Sequence, residues 1–477
     1  MIDIRIETLG CRLNQIESEA AARFFLDNGF SVDMKGVTSN NDCDLDTRLC
    51  ILNTCTVTQK AEQKARRIIR LQLKKYPSSC VIVTGCYAQL RPNEIKAMDS
   101  RIAVLGGQIK SRIAEVPVLL KTFINKGEWK SEAFAKLINE GLSASPSQKT
   151  DFPEDSFKLS ASSFISHSRA SLKIQDGCNN NCSYCAIHFA RGHSVSIPVE
   201  TALERVRELE KKENDEVVIT TVNIAQYRSE YKGEIFNFTK LLDFLLQNTS
   251  KIAFRISSLY PEVIDDDFCT VIKNPRVRPH FHISVQSGSD SVLSRMNRVY
   301  KSEAVINACK KLREAKGNPF LACDIITGFP GETESDFLQT MDLCNKCGFS
   351  WIHAFPYSER PGTPAAGMKP KVPQSLSGER AKKITDFAIN SKINYVNQFA
   401  GKEISAILET VRRPLALSGK SSNLIYHAVT ENFIHCEIHT TMPLTVNKTV
   451  KVRLIKALPE RISKGGEIEA LAEVIIP

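Results

Sequence analysis

The chain has 477 residues, 42% of them hydrophobic and 24% charged, the composition of a globular protein too long for a single core. Lys and Arg number 63 against 53 Asp and Glu, a net charge of +10 that favours a polyanionic partner. No stretch approaches the ~18 uninterrupted apolar residues of a membrane span, and the opening MIDIRIETLG alternates like a strand rather than a signal peptide. The expectation is therefore a cytoplasmic protein with no membrane segment.

In chain order, strand patterns fall at 4–9, 49–53 and 81–84, with helical patterns at 14–28 and 57–75 between them. This rhythm predicts an α/β domain with a parallel sheet over 1–125. The chain then turns Ser-rich and aperiodic at 143–168, which places a linker at 126–163. A second βα series, over 164–400, has strands near Leu172 and at 217–222, 252–259, 280–286, 320–328 and 351–355. Six βα units fit an open or partial parallel barrel, (β/α)6. Beyond 401 the helices stop. Short alternating runs at 423–429, 433–439, 449–455 and 467–476 predict a small β-barrel of oligonucleotide-binding type over 401–477.

Fifteen cysteines in a reducing compartment point to metal or redox chemistry more than to disulfides. The sharpest grouping is Cys178-Asn-Asn-Asn-Cys182-Ser-Tyr-Cys185, in a loop after a strand. Three thiolates can hold a four-iron cluster and leave one iron open for a small molecule. A zinc site, with His188 or His193 as fourth ligand, is the competing reading. A second grouping is dispersed. Cys11, Cys55 and Cys86 each follow closely on one of the first three predicted strands, so all three can meet in the crevice beyond the strand ends. Three unrelated buried cysteines are the alternative there. Cys344 and Cys347 make a C-x2-C pair with no second pair nearby and read as packing residues.

These features, taken together, resemble the methylthiotransferase family of radical S-adenosylmethionine (SAM) enzymes. The resemblance runs through Gly10-Cys11-Arg12-Leu13-Asn14-Gln15, Asn53-Thr54-Cys55-Thr56-Val57, Thr84-Gly85-Cys86-Tyr87-Ala88-Gln89 and Lys173-Ile174-Gln175-Asp176-Gly177-Cys178. It continues through Arg255-Ile256-Ser257-Ser258-Leu259, the segment 280–289 and Gly328-Phe329-Pro330-Gly331-Glu332-Thr333, in family order. The tail resembles the family's TRAM domain, a small RNA-binding barrel. The first two motifs and His280-Phe281-His282-Ile283-Ser284 resemble the branch acting on threonylcarbamoyladenosine beside the tRNA anticodon.

The resemblance implies two [4Fe–4S] clusters, on Cys178, Cys182 and Cys185 and on Cys11, Cys55 and Cys86. It implies two uses of SAM, one donating methyl to sulfur and one cleaved to a deoxyadenosyl radical. It also implies tRNA as substrate and an electron donor protein as partner, and leaves the oligomeric state unknown. Tyr184 stands where the family's aromatic residue lies near the adenine of SAM. Gln286, Asn223, Arg255 and Asp324 lie at or near strands that could face SAM, with a satisfied structural polar residue as the competing reading for each. Arg191 and Arg255 are the first candidates to pair with the threonylcarbamoyl carboxylate. Two positions depart from the family pattern. Ile197 follows Ser196 where arginine is usual, and Thr221 stands where glycine is common near SAM. Isopentenyl-adenosine tRNA or a ribosomal-protein aspartate are alternative substrates, and a non-catalytic iron–sulfur RNA-binding protein is the alternative of another class. The basic helix after Cys55, with Lys60, Lys64, Arg66, Arg67, Arg70, Lys74 and Lys75, is either a solvated face or a phosphate contact.

Overall fold

The computed structural model describes residues 3–127, 129–142, 157–159, 169–412 and 424–475. The first unit is a five-stranded parallel sheet in the order Val32–Asp33, Ile4–Thr8, Leu49–Thr54, Cys80–Gly85, Ile102–Gly106. Both faces of the sheet are covered, because apolar side chains alternate on both. Ile4, Ile6, Leu49, Ile51 and Ile82 pack under the helices Arg12–Asp27, Val116–Asn125 and Ser131–Gly141. Cys50, Leu52, Val81 and Val83 pack under Gln59–Lys75 through Ala65, Ile68 and Ile69. The strand order reverses between Ile4–Thr8 and Leu49–Thr54. Such a switch point opens a crevice beyond the carboxyl ends of the strands.

The three strands expected here are present, and two more flank them. The five-residue Ile102–Gly106 is too short for its period to distinguish strand from helix. The expected linker at 126–163 is corrected at 131–141. Ser131–Gly141 is a helix whose Phe134, Ala135 and Ile138 are buried in the first core. Most of the Ser-rich stretch, 143–156 and 160–168, lies outside the described residues.

The second unit carries parallel strands in the order Ala170–Lys173, Glu216–Thr220, Ala253–Ile256, then Ser258–Leu259, His280–Gln286, Phe320–Thr327, Trp351–Pro356. The chain passes between these two hydrogen-bonded sheets at Ser257, and the result is the expected six-unit open barrel. The third unit is a closed five-stranded barrel in the order Glu403–Arg412, Leu424–Thr430, His435–Thr440, Ala470–Val474, Thr449–Ala457. Its first strand was not among the expected runs. Among the described residues, no helix is long and apolar enough to cross a membrane.

The third unit is fused to the second rather than tethered to it. Phe320, Ala322, Tyr395 and Val396 belong to the same core as Ile404, Leu408, Ile438 and Leu454. Beside this core lies a buried carboxylate, Glu216. It accepts from Arg255 Nε at 2.7 Å and Nη2 at 3.1 Å, and from Arg278 Nε at 2.9 Å. Arg255 also donates to the carbonyls of Thr430 and Glu431, both at 3.2 Å. Burial works to raise the Glu216 carboxyl, yet Arg255, Arg278 and Arg169 together hold it at about 2 against the ordinary 4.5.

A carboxyl depressed in the folded state contributes stability that is full above its unfolded value and is lost as pH falls through its folded value. The Glu216 contribution is therefore complete above pH 4.5 and gone near pH 2. Replacing Glu216 with Gln strands buried guanidinium groups and should cost about 3–5 kcal/mol at neutral pH. The deficit should shrink as the pH is lowered through that window. Denaturant unfolding at several pH values checks this, and an undiminished variant at pH 7 would remove the joint from the account.

Candidate active site

The loop after strand Ala170–Lys173 carries Cys178, Cys182 and Cys185, and all three sulfurs receive hydrogen bonds. The Asn180 and Ile187 amides donate to Cys178 Sγ and Cys185 Sγ, each at 3.4 Å. Arg298 Nη1 donates to Cys182 Sγ at 3.3 Å, and Asn223 Nδ2 to Cys178 Sγ at 3.7 Å. Donors at every sulfur suit electron-rich, metal-bound thiolates. Burial pushes the Cys178 thiol up and the Cys185 thiol to about 12, so the thiolate state calls for a cation to hold it. The chemistry of this donor set fits an iron–sulfur cluster. His193 is engaged with Asn179 Oδ1 at 3.2 Å, and the His188 ring lies against Phe189. Among the described residues, no three His, Cys, Asp or Glu side chains gather around one ion.

Cys11, Cys55 and Cys86 each lie just beyond the carboxyl end of one of three adjacent strands, at the crevice. Cys55 directly follows Leu49–Thr54, Cys86 opens the helix Cys86–Leu90 after Cys80–Gly85, and Cys11 lies three residues beyond Ile4–Thr8. Cys86 and Cys11 act electrostatically on Cys55, and Cys11 acts on Cys86. Two glycines allow the approach. Gly10 has φ +104°, and a Cβ there would sit 2.6 Å from Cys55 Cβ and 3.0 Å from its sulfur. Gly85 has φ +92°, and a Cβ there would sit 2.4 Å from the Thr54 carbonyl. Burial raises the Cys55 thiol to about 11 and raises Cys86 as well, with Arg191 and Lys110 pulling Cys86 back down. Again the set suits a bound cation-rich cluster.

A buried ion network joins the two sites. Glu17 comes from the helix after Cys11. Lys110 follows the fifth strand. Lys173, Asp176 and Arg191 bracket the Cys178 loop. Arg191 Nη1 pairs with Glu17 at 3.2 Å and with Asp176 at 2.8 Å, and its Nη2 donates to Asn14 Oδ1 at 2.7 Å. Lys173 pairs with Glu17 at 3.1 Å and with Asp176 at 2.5 Å; Lys110 also pairs with Glu17. Asp176 in turn accepts from the Gly177 amide at 2.8 Å, one residue before Cys178. Burial opposes ionisation of Asp176, but Arg191, Lys173 and Lys110 hold it well below the ordinary carboxylate range.

The other expected site residues divide. Asn223 is buried against Cys178. Tyr184 packs with Val292, Met296 and Phe329, beside the loop. Gln286 ends its strand at a bulge with φ +70°, a strained setting for a residue other than glycine. Asp324 lies midway along the barrel, 3.3 Å from His282 Nε2, whose Nδ1 is 2.9 Å from Ser258 Oγ. Arg255 does not join them. Its head lies with Glu216 at the start of a strand and with Arg278, just ahead of another. That is the end of the barrel opposite the Cys178 loop. Arg191 is likewise occupied by carboxylates. The departure at Ile197 is a fully buried core residue. Arg298, Lys110, Lys173 and Glu17 were not foreseen. A lone basic or acidic residue carries no sequence signal for a contact made across some ninety residues or more.

A cleft of about 380 Å³ is lined by Thr56, Glu62, Leu90, Arg91, Ala186, Phe189 and the turn Arg360-Pro361-Gly362. Thr56 follows Cys55 and Ala186 follows Cys185 in sequence. Arg360 reaches across from the central unit to Glu62 at 2.7 Å and to the Thr56 carbonyl at 3.0 Å.

Residues 172–344 match the model of the Radical SAM superfamily, and residues 3–107 match that of Uncharacterized protein family UPF0004. The threonylcarbamoyladenosine tRNA methylthiotransferase MtaB of Treponema pallidum is 42% identical, over 86% of this chain and 91% of that protein. The protein of the same name from Thermotoga maritima is 34% identical, over 91% of this chain and 92% of that protein. A tRNA-2-methylthio-N(6)-dimethylallyladenosine synthase from Fusobacterium nucleatum is 30% identical, over 87% and 91%. Among solved structures, the radical S-adenosylmethionine methyltransferase TsrM from Kitasatospora setae aligns over 77% of each chain, at 12% identity and a TM-score of 0.46.

Replacing Gly10 with Ala should push Cys55 away from Cys11 and cost about 1 kcal/mol or more from the left-handed backbone alone. Anaerobically reconstituted protein should then fall from about eight irons toward four, with the Cys178 site intact. Iron analysis checks this. Full iron in the variant would mean that the three thiols need no such approach.

Proposed function

We propose the reaction from one premise: the chain belongs to the threonylcarbamoyladenosine tRNA methylthiotransferases of the radical SAM superfamily. It converts N6-threonylcarbamoyladenosine, next to the tRNA anticodon, to its 2-methylthio derivative. The observation that supports this reading is a cleft whose wall carries the residues that directly follow Cys55 and Cys185 together with the helix begun by Cys86. When bound, two [4Fe–4S] clusters and SAM supply the sulfur and one-electron chemistry that side chains lack.

The chain's own residues hold and orient these groups. Cys178, Cys182 and Cys185 bind one cluster, and Arg298, Asn223 and two amides tune its sulfurs. Cys11, Cys55 and Cys86 bind the other. Tyr184, Gln286 and Asp324 line the way to SAM. Asp324 is positioned by His282, and Arg255 is reassigned to the joint with the third unit. This cleft takes the adenine and excludes water around it. Three domains, about 3–142, 169–397 and 402–475, divide this work.

The tRNA body meets basic surface. Lys60, Lys64, Arg67, Arg70 and Lys74 stand exposed on the helix Gln59–Lys75, whose first turn reaches the cleft through Glu62. In the third unit, Lys448 pairs with Glu213, and Arg453 pairs with Glu403 and Glu473, leaving Lys451 and Lys456 as the better phosphate contacts of that strand. The work belongs in the cytoplasm, with an electron donor protein reducing the clusters.

The test uses reconstituted, reduced protein and two matched tRNAs, one threonylcarbamoylated and one isopentenylated. The expected result is methylthio product on the first and at least ~10⁴-fold less on the second. Changing Cys178, Cys182 and Cys185 to Ala should abolish SAM cleavage. Changing Cys11, Cys55 and Cys86 should spare SAM cleavage and abolish the methylthio product. Product on the isopentenylated tRNA alone would reverse the substrate assignment.

A further inference from the structure

The cleft lined by Thr56, Arg91, Ala186 and Arg360 carries an unspent positive charge. Arg360 is offset by Glu62 and tied to the Thr56 carbonyl and Ser358. Arg91 is half-buried on the same wall, and no carboxylate pairs with it among the described residues. The nearest acid in sequence, Glu94, is taken by Arg66 and Tyr87. The net charge of the two arginines and one glutamate is +1, which one carboxylate would complete. Phe189, 45% accessible, lines the same cleft, and Leu90, Ala186 and Pro361 add apolar wall. A flat ring beside a cation suits a purine with an acidic substituent.

We propose that Arg91 is the residue that selects the threonylcarbamoyl group, pairing its guanidinium with the threonyl carboxylate while Phe189 supports the adenine. This rests on the reaction proposed above. The competing arginines are excluded by their partners. Arg191 is held by Glu17 and Asp176, and Arg255 by Glu216 at the far end of the barrel. Arg91 reaches the cleft because it ends the short helix begun by Cys86. The same turn of chain therefore supplies a thiol and the anion-binding group. An isopentenyl chain brings no anion to Arg91, so the guanidinium counts against it.

The experiment compares wild type and Arg91→Gln on two tRNAs, one carrying threonylcarbamoyladenosine and one carrying its neutral threoninamide analogue. Wild type should lose about 10- to 100-fold in kcat/KM on passing from acid to amide, the range of a charged hydrogen-bonded pair. Arg91→Gln should lose a similar factor on the acid and little more on the amide, with wild-type iron content. A wild type that treats acid and amide alike overturns the proposal without recourse to any variant. So does a variant equal to wild type on the acid, or one equally impaired on both. A wild type that gives no product on the acid overturns the underlying reaction as well, which separates the two failures.

Discussion

The structure depends on five charges buried at one junction: Glu17 and Asp176 against Lys110, Lys173 and Arg191. Taking ions out of water is expensive, and hydrophobic packing would serve stability as well or better. What such a network contributes is position, because each charge tolerates few places. Glu17 and Lys110 belong to the first unit. Lys173, Asp176 and Arg191 belong to the second, on either side of the Cys178 loop. The network thus locks the crevice of one sheet against the loop of the other. It also carries one cation in excess, and Arg191 and Lys110 act directly on Cys86. That excess faces the place where thiolates gather negative charge, so the same residues that set geometry also lower the electrostatic cost of a cluster.

Two further joints complete the frame. Arg360, from the last strand's loop, closes on Glu62 and Thr56 across the cleft. At the opposite end, Glu216 gathers Arg255 and Arg278 beneath the third unit, and Phe433 lies under Arg255 at 5.4 Å. The third unit therefore behaves as part of the body, presenting its basic strand at a fixed attitude.

Much of this was legible in sequence where local pattern carries the information. The six cysteines were identified by spacing and by their place after apolar runs, three in one loop and three each just beyond the end of a neighbouring strand. The six-unit barrel followed from alternating strand and helix signals. The helix Ser131–Gly141 was missed because it adjoins a Ser-rich tract, although Phe134, Ala135 and Ile138 give it one apolar face. Arg255 was read as a ligand because it opens a family motif, and Arg191 as a cation of the barrel that could meet the substrate carboxylate. Their partners, Glu216 and Glu17, lie far away in sequence, and nothing local marks an ion pair of that range. Asp324 was expected beside SAM, but its contact with His282 needed the register of two strands. Arg91 and Arg360 line one cleft from positions more than two hundred residues apart, which only the packed domains disclose.

The central claim is that two clusters, one on each trio, face each other across a single cleft. Low-temperature electron paramagnetic resonance of the reduced, reconstituted protein tests it directly. The account predicts magnetic coupling between two [4Fe–4S] spins, seen as a broadened signal with fast relaxation. That coupling should collapse to a simple single-cluster signal when either trio is replaced by alanines. Two independent, uncoupled signals in the intact protein, or an unchanged spectrum after loss of one trio, would contradict it.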